Sequence, residues 1–326
     1  MSYLTKLRGV KAIRSEIRRF WTVILVPLLL AAQTLSGSAA WAQTKTNWKG
    51  TAVNTHNEKA RKIHGYAPVN GLKMYYEIEG SGDPLVFIPP AFGFAGRESF
   101  SALLQNHSVI TVDLQGNGRT ADIPDRPISI EQYARDVVEL LKYLNISKAD
   151  FLGESYGGDT VAVIAVRYPE FVRRVATYSA TFAPSPGTLN PETTHYDQPP
   201  TAETRNIQFQ REGYKKVAPD PDYWPKIYEK VGSIHWKGFS KEELASVSVP
   251  FLILQGDHDF VRLEHSVETV ELIPHAQLAV IPDASHFALS SEPERVIPII
   301  KHFLEQPEKR LPLATANVGY HPGETR

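Results

Sequence analysis

Six short, uninterrupted apolar runs with helix-like stretches between them constrain this chain more than any other feature. They are Leu85-Val86-Phe87-Ile88, Val109-Ile110-Thr111-Val112, Phe151-Leu152, Val175-Ala176-Thr177-Tyr178, Phe251-Leu252-Ile253-Leu254 and Leu278-Ala279-Val280-Ile281. A strand wetted on one face alternates apolar and polar residues, whereas one apolar at every position is covered on both faces. Leu72 to Ile78 reads as a further strand. Between the runs, Ser129 with Gln132 three residues on is a capping-box start. It opens a helix whose apolar residues Ile130, Tyr133, Val137, Leu140, Leu141 and Leu144 recur at three- and four-residue steps. Tyr156 to Tyr168 predicts a second, buried helix that Pro169 ends, and others are expected near 264–273 and 292–305. The alternation predicts an α/β fold: a mostly parallel central sheet with helices on both faces.

One long segment breaks the pattern. Residues 182–248 are rich in proline and aromatic residues and hold no buried-strand run, which predicts a mainly helical cap between two core strands. The expected organisation is a signal peptide over 1–42, a polar linker over 43–65, a core over 66–181 and 249–305, the cap, and a flexible tail over 306–326. The signal peptide rests on three features. Lys6, Arg8, Lys11, Arg14, Arg18 and Arg19 form a basic region, an apolar stretch follows from Trp21 to Ala32, and the small-residue end is Ala40-Trp41-Ala42. The apolar stretch is shorter than the roughly 20 residues that span a bilayer, and Pro27 interrupts it. Export to the periplasm or beyond the cell is expected, with cleavage after Ala42 and no stable membrane span afterwards. A formal net charge of -1 supplies no basic excess for nucleic acid. With no cysteine, the chain has no disulfide, no thiolate metal site and no thiol nucleophile.

The chemistry concentrates in Gly153-Glu154-Ser155-Tyr156-Gly157-Gly158, after a buried strand and before a buried helix. A serine on so sharp a turn has strained backbone angles, and neighbours with side chains would collide. The turn lifts the hydroxyl clear of the sheet and sets a helix N-terminus beneath developing negative charge. A hydroxyl needs a base, and histidine titrates near working pH. His286 follows the last apolar run, on the sheet edge where strand C-termini gather, and His258 is its rival. Gln255-Gly256-Asp257-His258-Asp259 places two carboxylates on the same edge. Asp259 is the expected acid that orients the imidazole and Asp257 the reserve.

From Tyr66 to Leu304 the chain resembles the esterase and lipase-like branch of the α/β-hydrolase superfamily. The order Ser155, Asp259, His286 matches that fold. Asp113-Leu114-Gln115-Gly116-Asn117-Gly118-Arg119-Thr120 resembles the family's turn after an early strand, Gly256-x-x-Asp259 its acid turn, and Ser285-His286-Phe287 its closing histidine loop. Where the family usually carries His-Gly, this chain has Pro89-Pro90-Ala91-Phe92-Gly93. The oxyanion donors are expected to be the N–H groups of Tyr156 and Ala91, with Phe92 the fallback, because Pro90 has no N–H. Phe92 and Phe94 at the mouth and Trp224 in the cap are the expected substrate contacts. The resemblance implies a serine hydrolase without metal or organic cofactor, acting on a small ester or lactone. An amidase, a carbon–carbon bond hydrolase, a perhydrolase and a non-catalytic small-molecule binder remain as alternatives.

Overall fold

The computed structural model describes residues 62–96, 100–184, 187–191, 207–274 and 276–306. The expected signal peptide, most of the linker, part of the cap and nearly all of the C-terminal tail lie outside them. Eight strands form one sheet: β1 (Ile63–Val69), β2 (Leu72–Gly80), β3 (Asp83–Ile88), β4 (His107–Val112), β5 (Ala149–Glu154), β6 (Val172–Tyr178), β7 (Phe251–His258) and β8 (Ala276–Ser285). Their order is β1-β2-β4-β3-β5-β6-β7-β8. β2 runs antiparallel to both β1 and β4, and the other neighbours are parallel. The chain steps from β3 to β4 on one side and to β5 on the other. That reversal opens a crevice at the strand C-termini, where such sheets bind ligands.

Two strands differ from expectation. β1 begins inside the segment read as linker. It is a half-exposed edge strand with a proline at position 68, so its alternation is weak and it lacks a buried run. Asn70 and Gly71, both at positive φ (46° and 84°), turn it tightly into β2. β8 was expected to be covered on both faces, but it closes the other edge and leaves Val280 38% exposed.

The core strands alternate between two apolar layers. Val86 and Ile88 face the helices α1 (Ile130–Tyr143) and α2 (Tyr156–Arg167), while Leu85 and Phe87 face the opposite side. There α8 (Pro293–Glu305) buries Val296, Ile297, Ile300 and Phe303, each contributing roughly 1.5–3 kcal/mol. Ser129 caps α1 by accepting from the Gln132 N–H at 3.1 Å. The reciprocal half of the expected capping box is not made: the Gln132 Oε1 accepts from the Arg135 guanidinium and its N–H₂ donates to Asp136 Oδ1. The remaining helices are α3 (Gln208–Val217), α4 (Trp224–Gly232) and α5 (Lys241–Ala245) between β6 and β7, then α6 (Leu263–Leu272) and α7 (Ala288–Ser291).

A half-buried ion pair pins α4 to the core. Lys230 Nζ donates to both oxygens of Asp122, at 3.0 and 2.8 Å, and to the carbonyl of Ile123 at 2.7 Å. The Tyr223 hydroxyl donates to Asp122 at 2.9 Å. Burial alone would push the Asp122 carboxyl up, but donors from Gln115, Lys230 and Tyr223 outweigh it and hold it below its ordinary value. Lys230→Met leaves that buried carboxylate short of its cation. We expect a loss of about 3 kcal/mol and a fall in Tm of roughly 6–12 °C, read by calorimetry. An unchanged Tm would show that this pair does not hold α4 down.

Candidate active site

Ser155 stands between β5 and α2 with φ 54° and ψ −121°, a left-handed conformation costly for any side chain. Its N–H donates to the Tyr178 carbonyl at 2.9 Å, and its carbonyl accepts from the Asp159 N–H at 3.0 Å. The flanking glycines answer a steric demand. A Cβ on Gly153 would lie 2.2 Å from the Gly157 carbonyl oxygen, and one on Gly157 only 2.0 Å from that of Ile88. The second approach sets the elbow directly against the loop that follows β3.

In that loop Gly93 N–H donates to the Pro90 carbonyl at 2.8 Å, and Phe92 has φ 62°. Residues 90–93 therefore form a type II-like turn, with Ala91 and Phe92 as its central pair. Asp113, buried after β4, braces the loop by accepting from the N–H groups of Ala95 (2.5 Å) and Arg119 (2.7 Å). Burial pushes its carboxyl up to about 6 against the pull of those donors and the Arg119 charge. Tyr156 is the first residue of α2, so its N–H has no acceptor within the helix.

The other two candidate groups meet. His286 Nδ1 lies 2.8 Å from Asp259 Oδ1. A buried carboxylate accepts hydrogen bonds, so this contact puts a proton on Nδ1 and leaves Nε2 for proton transfer. The same oxygen accepts from the Val261 N–H at 2.9 Å, and Oδ2 accepts from the Ser179 hydroxyl. The register of β7 against β8 shifts between Gly256 and His258, which re-aims the chain just before Asp259. Asp257 is exposed and accepts from the Ala284 N–H at 3.2 Å, which ties β7 to β8. His258 is exposed beside it, 3.9 Å from its carboxylate. Neither takes part in the Asp259–His286 contact.

The His286 ring is held in place from several sides. Phe260 stacks on it at 3.7 Å between centroids and 24° between planes, and Phe287 meets it edge-on at 5.2 Å. The Tyr178 hydroxyl donates to the Ser285 carbonyl at 2.7 Å and fixes the residue before the imidazole. One turn into α2, Asp159 accepts from both the N–H and the hydroxyl of Thr181 and from the Phe182 N–H. Burial pushes its carboxyl up to about 7.

Of the expected substrate contacts, Phe92 is half-buried and stacks on Tyr228 at 5.8 Å and 16°. Phe94 is half-buried between Arg119 and Gly213 of α3. Trp224 corrects its assignment. It is 0% exposed, enclosed by Phe92, Tyr214 and Tyr228, so it packs against Phe92 and offers a ligand no surface. Ser179, Tyr178 and Phe260 escaped the sequence reading. Ser179 carried a usable signal, since it directly follows an apolar run and so sits on the same edge as Ser155. Among the described residues, no group of three or more His, Asp or Glu is placed to hold a metal ion, and no helix is long and apolar enough to cross a membrane.

The family model for the alpha/beta hydrolase family matches residues 85–299. The chain belongs to that family. It is 25% identical over 228 residues to the serine hydrolase BPHL of Homo sapiens, covering 67% of this chain and 78% of that one. It is 23% identical over 269 residues to the 2-hydroxymuconate semialdehyde hydrolase of Pseudomonas putida, covering 72% and 92% respectively. A meta-cleavage product hydrolase from Pseudomonas fluorescens shares the fold with a TM-score of 0.63 at 21% identity, over 76% of this chain and 98% of the other. These relatives indicate hydrolase activity of the α/β type.

Proposed function

We propose that this chain is a serine hydrolase that cleaves a carboxylic ester or lactone through an acyl-enzyme on Ser155. The observation that carries the reading is the Asp259–His286 hydrogen bond on the sheet edge where Ser155 occupies a strained elbow. In this mechanism Ser155 Oγ attacks the carbonyl carbon while His286 Nε2 takes its proton. The N–H groups of Tyr156 and Ala91 receive the oxyanion, each such donor contributing roughly 3–4 kcal/mol to the transition state. The tetrahedral intermediate collapses as His286 protonates the leaving alkoxide. Water then gives its proton to His286 as it attacks the acyl carbon, the acid departs, and the proton returns to Ser155. Asp259 keeps the imidazole in the required tautomer and balances its charge. The half-buried rings of Phe92 and Tyr156 favour a bulky apolar or aromatic acyl or alcohol group. The basic, apolar and small-residue sequence of residues 1–42 supports export.

A second reading is hydrolysis of a carbon–carbon bond by the same groups, which the likeness to the 2-hydroxymuconate semialdehyde hydrolase favours. The test is a p-nitrophenyl ester series run beside 2-hydroxymuconate semialdehyde, with peptide mapping after treatment with an active-site phosphonate. Ester turnover together with a label on Ser155 is the expected result. Turnover of the semialdehyde alone moves the chain to the second reading. No label and no turnover reject the serine-hydrolase reading.

A further inference from the structure

We infer that Ser179 is a positioning residue for the Asp259–His286 pair, its hydroxyl locking the Asp259 carboxylate so that the other oxygen faces the imidazole. The inference rests on the proposed roles of Asp259 and His286 as acid and base. Ser179 directly follows β6, between the strands that deliver Ser155 and Asp259. It is 1% exposed, and its hydroxyl donates to Asp259 Oδ2 across 80 residues of chain. Its N–H donates to the Leu254 carbonyl at 2.8 Å, so its backbone is anchored to β7, the strand that carries Asp259.

Two features separate this contact from ordinary packing. Ser179 has φ 57°, a conformation that suits glycine or asparagine and is costly for serine. A strained non-glycine residue persists where its surroundings over-determine it, commonly at a working site. The Asp259 side chain is also 0% exposed, so water cannot replace a missing donor there. Rotation about the Cβ–Cγ bond of an aspartate is soft. With Oδ1 shared by His286 and Val261, a donor on Oδ2 sets that rotation. Loss of that donor leaves the carboxylate's charge least compensated while the imidazole is neutral. The titratable groups facing Asp259 are His286 after β8 and Tyr178 on β6, with Glu154 at the end of β5 acting on Tyr178.

The test is kinetics of the full chain with Ser179→Gly and Ser179→Ala, alone and combined with Asp259→Asn. Both variants lose the hydroxyl, but glycine also relieves the backbone while alanine retains the strain, so Ser179→Gly should melt higher than Ser179→Ala. Both should lower kcat about tenfold with KM within twofold, and should move the acid limb of the pH profile to higher pH. In the Asp259→Asn background the further loss should be under twofold, since the hydroxyl acts through the carboxylate. Unchanged kcat and an unmoved acid limb in Ser179→Gly overturn the inference. So does a full tenfold further loss in the Asp259→Asn background. If Asp259→Asn itself keeps the parental kcat, the reading of the acid has failed instead, and the two failures are told apart.

Discussion

Under the proposed mechanism we expect Asp259→Asn to lower kcat for the best p-nitrophenyl ester about 10⁴-fold and Asp257→Asn to leave it within twofold. The two carboxylates are two residues apart on one turn, yet their surroundings assign them different work. Asp259 is buried and meets His286 Nδ1 at 2.8 Å, while Asp257 faces solvent and ties β7 to β8. An asparagine at 259 can present its amide N–H₂ to the ring, which favours the tautomer with the proton on Nε2 and would deny Ser155 its proposed base. Ser155→Ala, which deletes the attacking atom, should cost about 10⁶-fold. The measurement is steady-state turnover of the four proteins at one pH, with folding checked by circular dichroism. Equal losses for Asp257→Asn and Asp259→Asn would reject this division of roles.

The second large effect is on stability. Gly157→Ala places a methyl carbon 2.0 Å from the Ile88 carbonyl oxygen and 2.6 Å from that of Pro89. Both obstacles are backbone, one at the end of central strand β3, so neither can swing aside as a flexible side chain would. Overpacking a close-fitted interior typically costs 1–3 kcal/mol. With two backbone carbonyls in the way we expect the upper end, about 3 kcal/mol or more, with much of the protein insoluble. Gly232→Ala is the matched control. A Cβ there meets nothing within 4 Å, at the last turn of α4, and should be neutral or stabilise by up to about 1 kcal/mol. Urea midpoints for both variants decide the matter. A Gly157→Ala protein as stable as the parent would mean that the β3 loop can retreat from the elbow.

Much of this architecture could be read from residues in order, because the rules involved are local. A run apolar at every position implies a strand covered on both faces, and such runs located β3 to β7. The same local logic expects Ser155, Asp259 and His286 on one edge, since in a parallel sheet every strand C-terminus reaches one edge, and the structure pairs Asp259 with His286 there. It failed at the margins. β1, half-exposed and bearing Pro68, carries too weak a period to register, and the apolar run in β8 closes an edge although its composition resembles the interior. The chain order of residues could not reveal the Ser179–Asp259 contact, the stacking of Phe260 on His286 or the enclosure of Trp224. Each depends on which loops and side chains meet once β6, β7 and β8 lie side by side and α4 is docked by Lys230. Backbone periodicity and steric need are carried by neighbouring residues and survive in the linear text. Side-chain partnership across 80 residues exists only after the sheet has closed.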